Sequence, residues 1–502
     1  MMNGHFDWAA KWAMYLPNKI ALKEIGSGRS LTYRQINNLG NSYANYFKNQ
    51  WRVKKGDRIA IIAETCLEYM MLLSAAQKTG AILVPLNFRL SPREIDYLLG
   101  DAEPKVVLYQ EKYLESIMDC PNFRKIPVHV PLESSGALSY EMRDTFNETP
   151  QPVEITEDDP VLILYTSGTT GFPKGAIYTH KMMFWNSENT ALRLGLTDGD
   201  RTINVMPFFH TGGWNVLQTP FFHRGATVAM LPKFDAELVL DLLESEQITI
   251  FMGVPTMLKM MADAARFESV NLSALRYFIV GGEAMPLPLI EKWHNKGVPI
   301  RQGYGLTEFG PNVTSLHQDD AVRKMGSIGK PNFYIDIKIV DDNENPVAAN
   351  EIGEFCLKGP TCTPGYWNNP EATAAAIKDG WFFTGDYVRQ DADGYIYVVD
   401  RKKNMYISGG ENVYPTEVEK FLRTHPEIAD VAIIGVPDEK WGESGKAFVV
   451  RAAGSQLTAA DILAFCKGNL AKFKIPKYIS FLPELPKGDT GKIDRKQLKN
   501  ID

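Results

Sequence analysis

Lys174 closes a run of hydroxyl and glycine residues: Thr166, Ser167, Gly168, Thr169, Thr170 and Gly171. Glycines let backbone N–H groups approach an anion closely, hydroxyls add donors, and lysine brings a compact positive charge, so the run reads as a phosphate loop. Its spacing is not G-x-x-x-x-G-K-[ST], so the usual P-loop does not apply. A flexible Ser/Thr/Gly linker has a similar composition. Linkers, however, do not normally interrupt an apolar strand and carry a Pro173-Lys174-Gly175 exit. Two further glycine-bearing runs follow, Gly281-Gly282-Glu283-Ala284 and Gly303-Tyr304-Gly305-Leu306-Thr307-Glu308. In the second, Glu308 stands where a dinucleotide fingerprint needs its third glycine. His210 lies between Phe209 and Gly212-Gly213; a lone histidine is usually packed or solvent-facing, but this context makes it a functional candidate. Asp386, after Thr384-Gly385, would by itself cap a turn.

The elements that must carry these residues alternate. Apolar Val161 to Tyr165 reads as a buried strand that empties into the first loop. Arg58 to Ala63, Ala81 to Pro85, Arg201 to Met206, Ile248 to Met252, Arg276 to Val280 and the stretch from Ile300 read as further strands. Tyr69 to Thr79, Lys181 to Leu194 and Ala236 to Glu246 read as helices. Such alternation implies an α/β fold with mainly parallel sheets, and strand ends rich in glycine, hydroxyl and acid form the crevice a ligand needs. From Gly326 to Tyr397 the texture turns β-rich. The polar run Asp400-Arg401-Lys402-Lys403 marks a boundary, giving a large N-terminal domain over 1–400 and a small α+β domain over 401–502.

A chain of 502 residues exceeds one ordinary core, and 44% hydrophobic with 23% charged residues is a globular composition. The net charge of -6 argues against a dedicated nucleic-acid binder. Five scattered cysteines without a C-x-x-C pair suggest neither a disulfide framework nor a zinc site, and fit a reducing cytoplasm. Neither a secretory signal nor a membrane-spanning run is expected. Peripheral membrane contact and a homodimer are compatible with this reading.

The loop at 166–174 closely resembles the signature loop of the adenylate-forming superfamily, which includes acyl-CoA synthetases, coumarate-CoA ligases, luciferases and peptide-synthetase adenylation domains. The likeness runs from about Trp8 to Leu498, with several motifs in the family's order. It implies that the loop handles the β- and γ-phosphates of ATP. It also implies that Tyr304 stacks on adenine beside Gly305, that Thr307 contacts the α-phosphate and that Glu308 binds Mg²⁺. Gly282, Glu283 and Ala284 would line the adenine; Asp386 and Arg401 would hold the ribose. Lys403 falls on the family's hinge, Gly409 and Gly410 on its coenzyme A tunnel, Lys492 on its C-terminal catalytic lysine, and His210 on the residue that closes over the substrate carboxylate. Phe172 and Gly488 depart from the common pattern without removing a charged or donor group.

The implied reaction joins a carboxylic acid to coenzyme A through an acyl adenylate, with ATP, Mg²⁺ and CoA. Trp185, Phe209, Trp214, Phe251, Met252 and Phe309 would surround the acyl group, although each alone also reads as core. With no cation evidently facing a second carboxylate, a medium- or long-chain fatty acid is expected, and an aryl or cinnamic-type acid is the alternative. A luciferase-like monooxygenase or a non-catalytic nucleotide binder would share the fold.

Overall fold

The computed structural model describes residues 6–132, 149–166, 173–282, 285–408, 411–467, 469–488 and 492–501. The chain forms two compact units, residues 1–337 with 357–382, and residues 338–356 with 383–502. This division differs from a boundary at the polar run at 400, because residues 338–356 and 383–400 group with the C-terminal module.

Among the described residues the first unit contains three sheets. The largest orders Val128–Leu132, Val106–Gln110, Arg58–Ile62, Ile82–Pro85, Pro160–Thr166 and Lys174–Thr179. All neighbours are parallel except the last pair, which is antiparallel. Ile59, Ile61, Leu83 and Leu108 enter one core while Ala60, Ile62, Val84 and Val107 enter another. Both faces are therefore covered, which explains why these strands read as unbroken apolar runs. Strand Lys174–Thr179 carries no such run and is not evident in the sequence. The second sheet sets Ile250–Gly253, Tyr277–Val280 and Ile300–Tyr304 in parallel, then Thr314–Ser315 and Lys330–Pro331 antiparallel. The third orders Ser30–Thr32, Ile20–Glu24, Thr227–Met230 and Arg201–Asn204. The sheets are thus mixed, with parallel strands at the centre of the two that carry the signature runs.

Helix Tyr33–Asn49 starts at a capping box in which Thr32 and Gln35 satisfy each other's backbone N–H. Helix Glu68–Thr79 is buried almost throughout. Its Glu68 is paired with Arg29, which also reaches Glu24 at 2.8 Å. Among the described residues no helix is long and apolar enough to cross a membrane.

In the second unit, Ile352–Lys358 lies between Asp336–Val340 and Trp381–Gln390, and Ile396–Arg401 pairs antiparallel with Trp381–Gln390. A further sheet orders Glu411–Val413, Tyr406–Ser408, Gly442–Arg451 and Ile428–Asp438, with Tyr478–Phe481 parallel to Gly442–Arg451. Helices Pro415–Leu422 and Ala459–Cys466 give Val418, Leu422 and Ile462 to its core beside Val431, Ile433 and Val449.

Two histidines, buried His180 and half-buried His223, make the first unit acid-sensitive. His180 packs on the Phe6 ring, and burial lowers its pKa to about 4. His223 stacks on Trp8 at 4.0 Å and meets Ser187 Oγ at 2.8 Å; burial and Arg224 lower its pKa to about 3. Glu188, 3.7 Å from His223, is already engaged by Arg224 at 2.7 Å. Unfolding releases both rings to the ordinary value of about 6.5. Their stabilising effect is complete above that value and is lost as pH falls toward 4 and 3. The melting temperature should therefore fall between pH 6.5 and 5, and less steeply in His180→Leu/His223→Gln; equal slopes would exclude these rings as the cause.

Candidate active site

The antiparallel pair Pro160–Thr166 and Lys174–Thr179 places Thr166 opposite Lys174, at the two feet of the signature loop. Glu308, in a short 3₁₀ turn after strand Ile300–Tyr304, comes to the same place. Its Oε1 accepts from Tyr366 Oη at 2.9 Å and Thr166 Oγ1 at 3.4 Å. A well-made hydrogen bond to a charged group contributes about 1.5–3 kcal/mol, and 3.4 Å lies at the weak end of the range. Tyr366 is therefore the main tether. Lys174 Nζ lies 5.3 Å from the centre of the same tyrosine ring. Burial, then Glu308, raises the Tyr366 pKa well above the ordinary phenol value, so it remains an O–H donor.

The segment bearing Tyr366 is laid along the edge strand Lys174–Thr179. Ile177 N donates to Gly365 O at 3.1 Å, Trp367 N to Gly175 O at 2.7 Å, and Thr363 Oγ1 to Ile177 O at 2.7 Å. Thr363 N also donates to the backbone carbonyl of Glu308 at 2.8 Å. Farther along, Asp101 O accepts from Trp367 Nε1 at 3.2 Å.

Tyr304 ends its strand opposite Thr314. Gly305 then turns so close to Pro311 that a Cβ would stand 1.8 Å from the Pro311 carbonyl oxygen. Thr307 opens the turn that presents Glu308. Gly282, with φ +85°, follows strand Tyr277–Val280, and buried Gln302 accepts from Met285 N at 3.1 Å. Ser167, Gly168, Thr169, Thr170, Gly171, Glu283, Ala284, Gly409 and Gly410 lie outside the described residues.

His210 is half-buried, its ring 5.0 Å from Phe209, just before a π-helical turn over Gly212–Val216. The carbonyls this turn frees are satisfied by Asn186, which reaches Asn215 O at 2.7 Å, and by Asn312, which reaches Val216 O at 3.1 Å. The residues expected to form the acyl wall occupy several environments. Phe251 and Met252 are neighbours on one strand and enter different cores, Phe251 against Phe278 and Met252 on the opposite face. Period-2 alternation prevents both from lining one pocket. Trp214 is fully buried, packed on Tyr69 and Phe208. Phe309 is equally buried beside Phe382. Phe209 contacts Phe88, while Trp185 meets Tyr334 edge-on at 4.8 Å.

In the second unit Asp386 sits opposite Arg401, with 3.0 Å between Oδ1 and Nε. Asp400 is buried and accepts from Arg401 N, Asn404 Nδ2 at 3.1 Å and Thr416 N at 2.7 Å. It thus caps helix Pro415–Leu422 from a distance. The adjacent lysines differ. Lys402 bridges Glu354 at 3.0 Å and Asp342 at 3.1 Å, whereas burial and then Arg401, Lys496 and other cations lower the pKa of Lys403. Lys492 is exposed, and its carbonyl accepts from Gly488 N at 2.8 Å.

Residues 9–367 match the AMP-binding enzyme family and residues 417–492 match the AMP-binding enzyme C-terminal domain. The chain belongs to the AMP-binding enzyme family. It is 37% identical over 487 residues to a feruloyl-CoA synthase from Amycolatopsis, covering 97% of this chain and 96% of that one. It is 36% identical over 481 residues to the long-chain-fatty-acid–CoA ligase FadD13 of Mycobacterium tuberculosis, covering 95% and 94%. The solved structure of o-succinylbenzoate CoA synthetase from Bacillus subtilis, in complex with ATP and magnesium ion, superimposes with a TM-score of 0.86 at 30% identity, covering 98% of this chain and 99% of that one.

The residues of this AMP-binding enzyme suit a metal nucleotide. No group of three or more His, Cys, Asp or Glu side chains poised for a metal occurs among the described residues. Glu308 offers a single carboxylate, the donor set of an ion that takes its other oxygens from phosphate and water. Thr166 and Lys174 supply a hydroxyl and a cation for the phosphates at the same place. Sequence reasoning missed Tyr366 and Thr363; the Pro364-Gly365 turn is legible, but nothing local shows which strand it joins. Asp400 was read as part of a polar break.

Gly305→Ala should displace the turn carrying Thr307 and Glu308 and abolish measurable ATP binding in calorimetry while the second unit stays folded. Gly281→Ala, whose Cβ would lie 3.6 Å from the nearest atom, should bind normally. Similar affinities for the two variants would contradict this account.

Proposed function

We propose that this AMP-binding enzyme is an AMP-forming acid:CoA ligase, and that its substrate is an apolar monocarboxylic acid. The observation that carries the reading is the convergence of Glu308, Lys174 and Thr166 at the mouth of the signature loop. A carboxylate oxygen is a poor leaving group until it is esterified to AMP, and the two anionic reactants meet only where charge is neutralised. ATP supplies the adenylyl group and Mg²⁺ offsets phosphate charge; Glu308 would hold the ion. Lys174 and Thr166 hold phosphate oxygens, His210 borders the acyl group, and Asp386 with Arg401 orients the ribose. Lys492 brings the remaining cation for adenylation. Thiol attack then expels AMP and gives the thioester.

A medium- or long-chain fatty acid is the first substrate class, supported by the likeness to the mycobacterial ligase. Similarity to the feruloyl-CoA synthase favours the second reading, an aryl or cinnamic-type acid. Phe209, Met252 and Trp185, which lies beside Tyr334, are the candidate walls. Thioester formation with C6 to C16 acids, benzoate, coumarate and ferulate should give the highest kcat/KM with a fatty acid. A maximum with ferulate would select the second reading, and no thioester with any acid would refute ligation.

The two half-reactions would use Lys492 and the Gly409-Gly410 segment in turn, with Lys403 as pivot. Lys402, fixed between two carboxylates, gives that pivot an anchored side. Lys492→Ala should lose acyl-adenylate formation by at least about 100-fold yet convert supplied acyl adenylate to thioester, as expected for a charge acting in the first transition state. Lys403→Pro should show the reverse pattern, because proline fixes φ at the pivot. Equal loss of both steps in Lys492→Ala would make that lysine structural.

A further inference from the structure

We infer that Tyr366 is a positioning residue that sets Glu308 and Lys174 at a fixed separation for metal–nucleotide binding. The inference rests on the reading of Glu308 as the ion's ligand and Lys174 as a phosphate contact. One side chain meets both groups by different chemistry: the phenol donates to Glu308 Oε1 at 2.9 Å, and the ring stands 5.3 Å from the Lys174 ammonium. Both groups meet the same tyrosine; without it between them, a carboxylate and an ammonium free to approach would form an ion pair and occupy each other. The phenol meets the carboxylate as a neutral donor and brings no opposing charge. The ring face attracts the lysine ammonium without neutralising it.

The tyrosine is itself over-determined. Its backbone N donates to Thr373 Oγ1 at 2.9 Å, and it pairs with Ala176 across the edge strand. Gly365, at φ +148°, packs so tightly that a Cβ would stand 2.6 Å from Thr373 Cγ2. Thr363 fixes the Glu308 backbone from the same turn. Carboxylate and tyrosine are therefore held to each other at two points, one through the main chain and one through side chains.

The test uses the full chain and needs neither acid nor CoA, so a failed thioester assay would leave it standing. Mn²⁺ binding to the ATP-loaded protein is followed by electron paramagnetic resonance, and metal-free ATP binding by calorimetry. Tyr366→Phe keeps the ring and loses the hydroxyl. It should weaken Mn²⁺ binding about 10- to 100-fold, the usual cost of losing a ligand's outer partner, with metal-free ATP binding unchanged. Excess Mn²⁺ should restore full metal occupancy of this variant. Tyr366→Leu should weaken both. Thr166→Val, which removes the longer contact, should weaken Mn²⁺ binding less than Tyr366→Phe. Wild-type Mn²⁺ affinity in Tyr366→Phe, or a loss of metal-free ATP binding as large as in the leucine variant, would overturn the proposal. If the leucine variant does not fold, the phenylalanine variant decides alone.

Discussion

Three backbone-directed hydrogen bonds lay residues 363–367 along the edge strand Lys174–Thr179, and the candidate site depends on them. An edge strand exposes unpaired N–H and C=O groups that some neighbour must satisfy. Here the neighbour comes from nearly two hundred residues downstream, and satisfying the edge brings its tyrosine to Thr166, Lys174 and Glu308. The same pairing closes the largest sheet on the side where the signature loop leaves it. Structural need and ligand chemistry thus coincide in one strip of main chain.

That coincidence explains what the sequence disclosed and what it withheld. Strands Arg58–Ile62, Ile82–Pro85 and Pro160–Thr166 and the amphipathic helix at Ala236 carry their signal locally, in apolar runs and 3.6-residue periodicity. The signature loop and the run ending in Glu308 stood out because glycine, hydroxyl and acid at a strand end are unusual side by side, whereas Asp386 by itself read as a turn cap and drew a ligand role only from the family resemblance. Strand Lys174–Thr179 was not, since its partners rather than its composition make it a strand. Tyr366 was invisible for the same reason: its role lies in what a remote turn touches. Faces along a strand were a further property that composition alone did not show. Phe251 and Met252 are both apolar, but adjacency along a strand sends them to opposite faces.

Away from the site, several charges are likewise held by dipoles rather than by opposite charges. Arg301 is buried, its guanidinium bonded to the carbonyls of Leu316 and Arg193 and to Gln318, and burial lowers its pKa to about 10. Asp400 is held by two backbone N–H groups and an amide. Such arrangements satisfy a buried ion without a second ion to desolvate, and their short, directional bonds fix geometry more tightly than a pair of long charged side chains would.

The chain passes between its two units three times, at 337/338, 356/357 and 382/383. Inheritance must respect that weave. A single recombination event near residue 400 between two relatives would take Asp386 from one parent and Arg401 from the other, splitting a pair that faces itself across adjacent strands. Exchange of the whole second unit requires 338–356 and 383–502 to travel together while 357–382, with Thr363 and Tyr366, stays behind. Lineages that vary this unit by recombination therefore face a threefold junction, and drift by point substitution is the easier route.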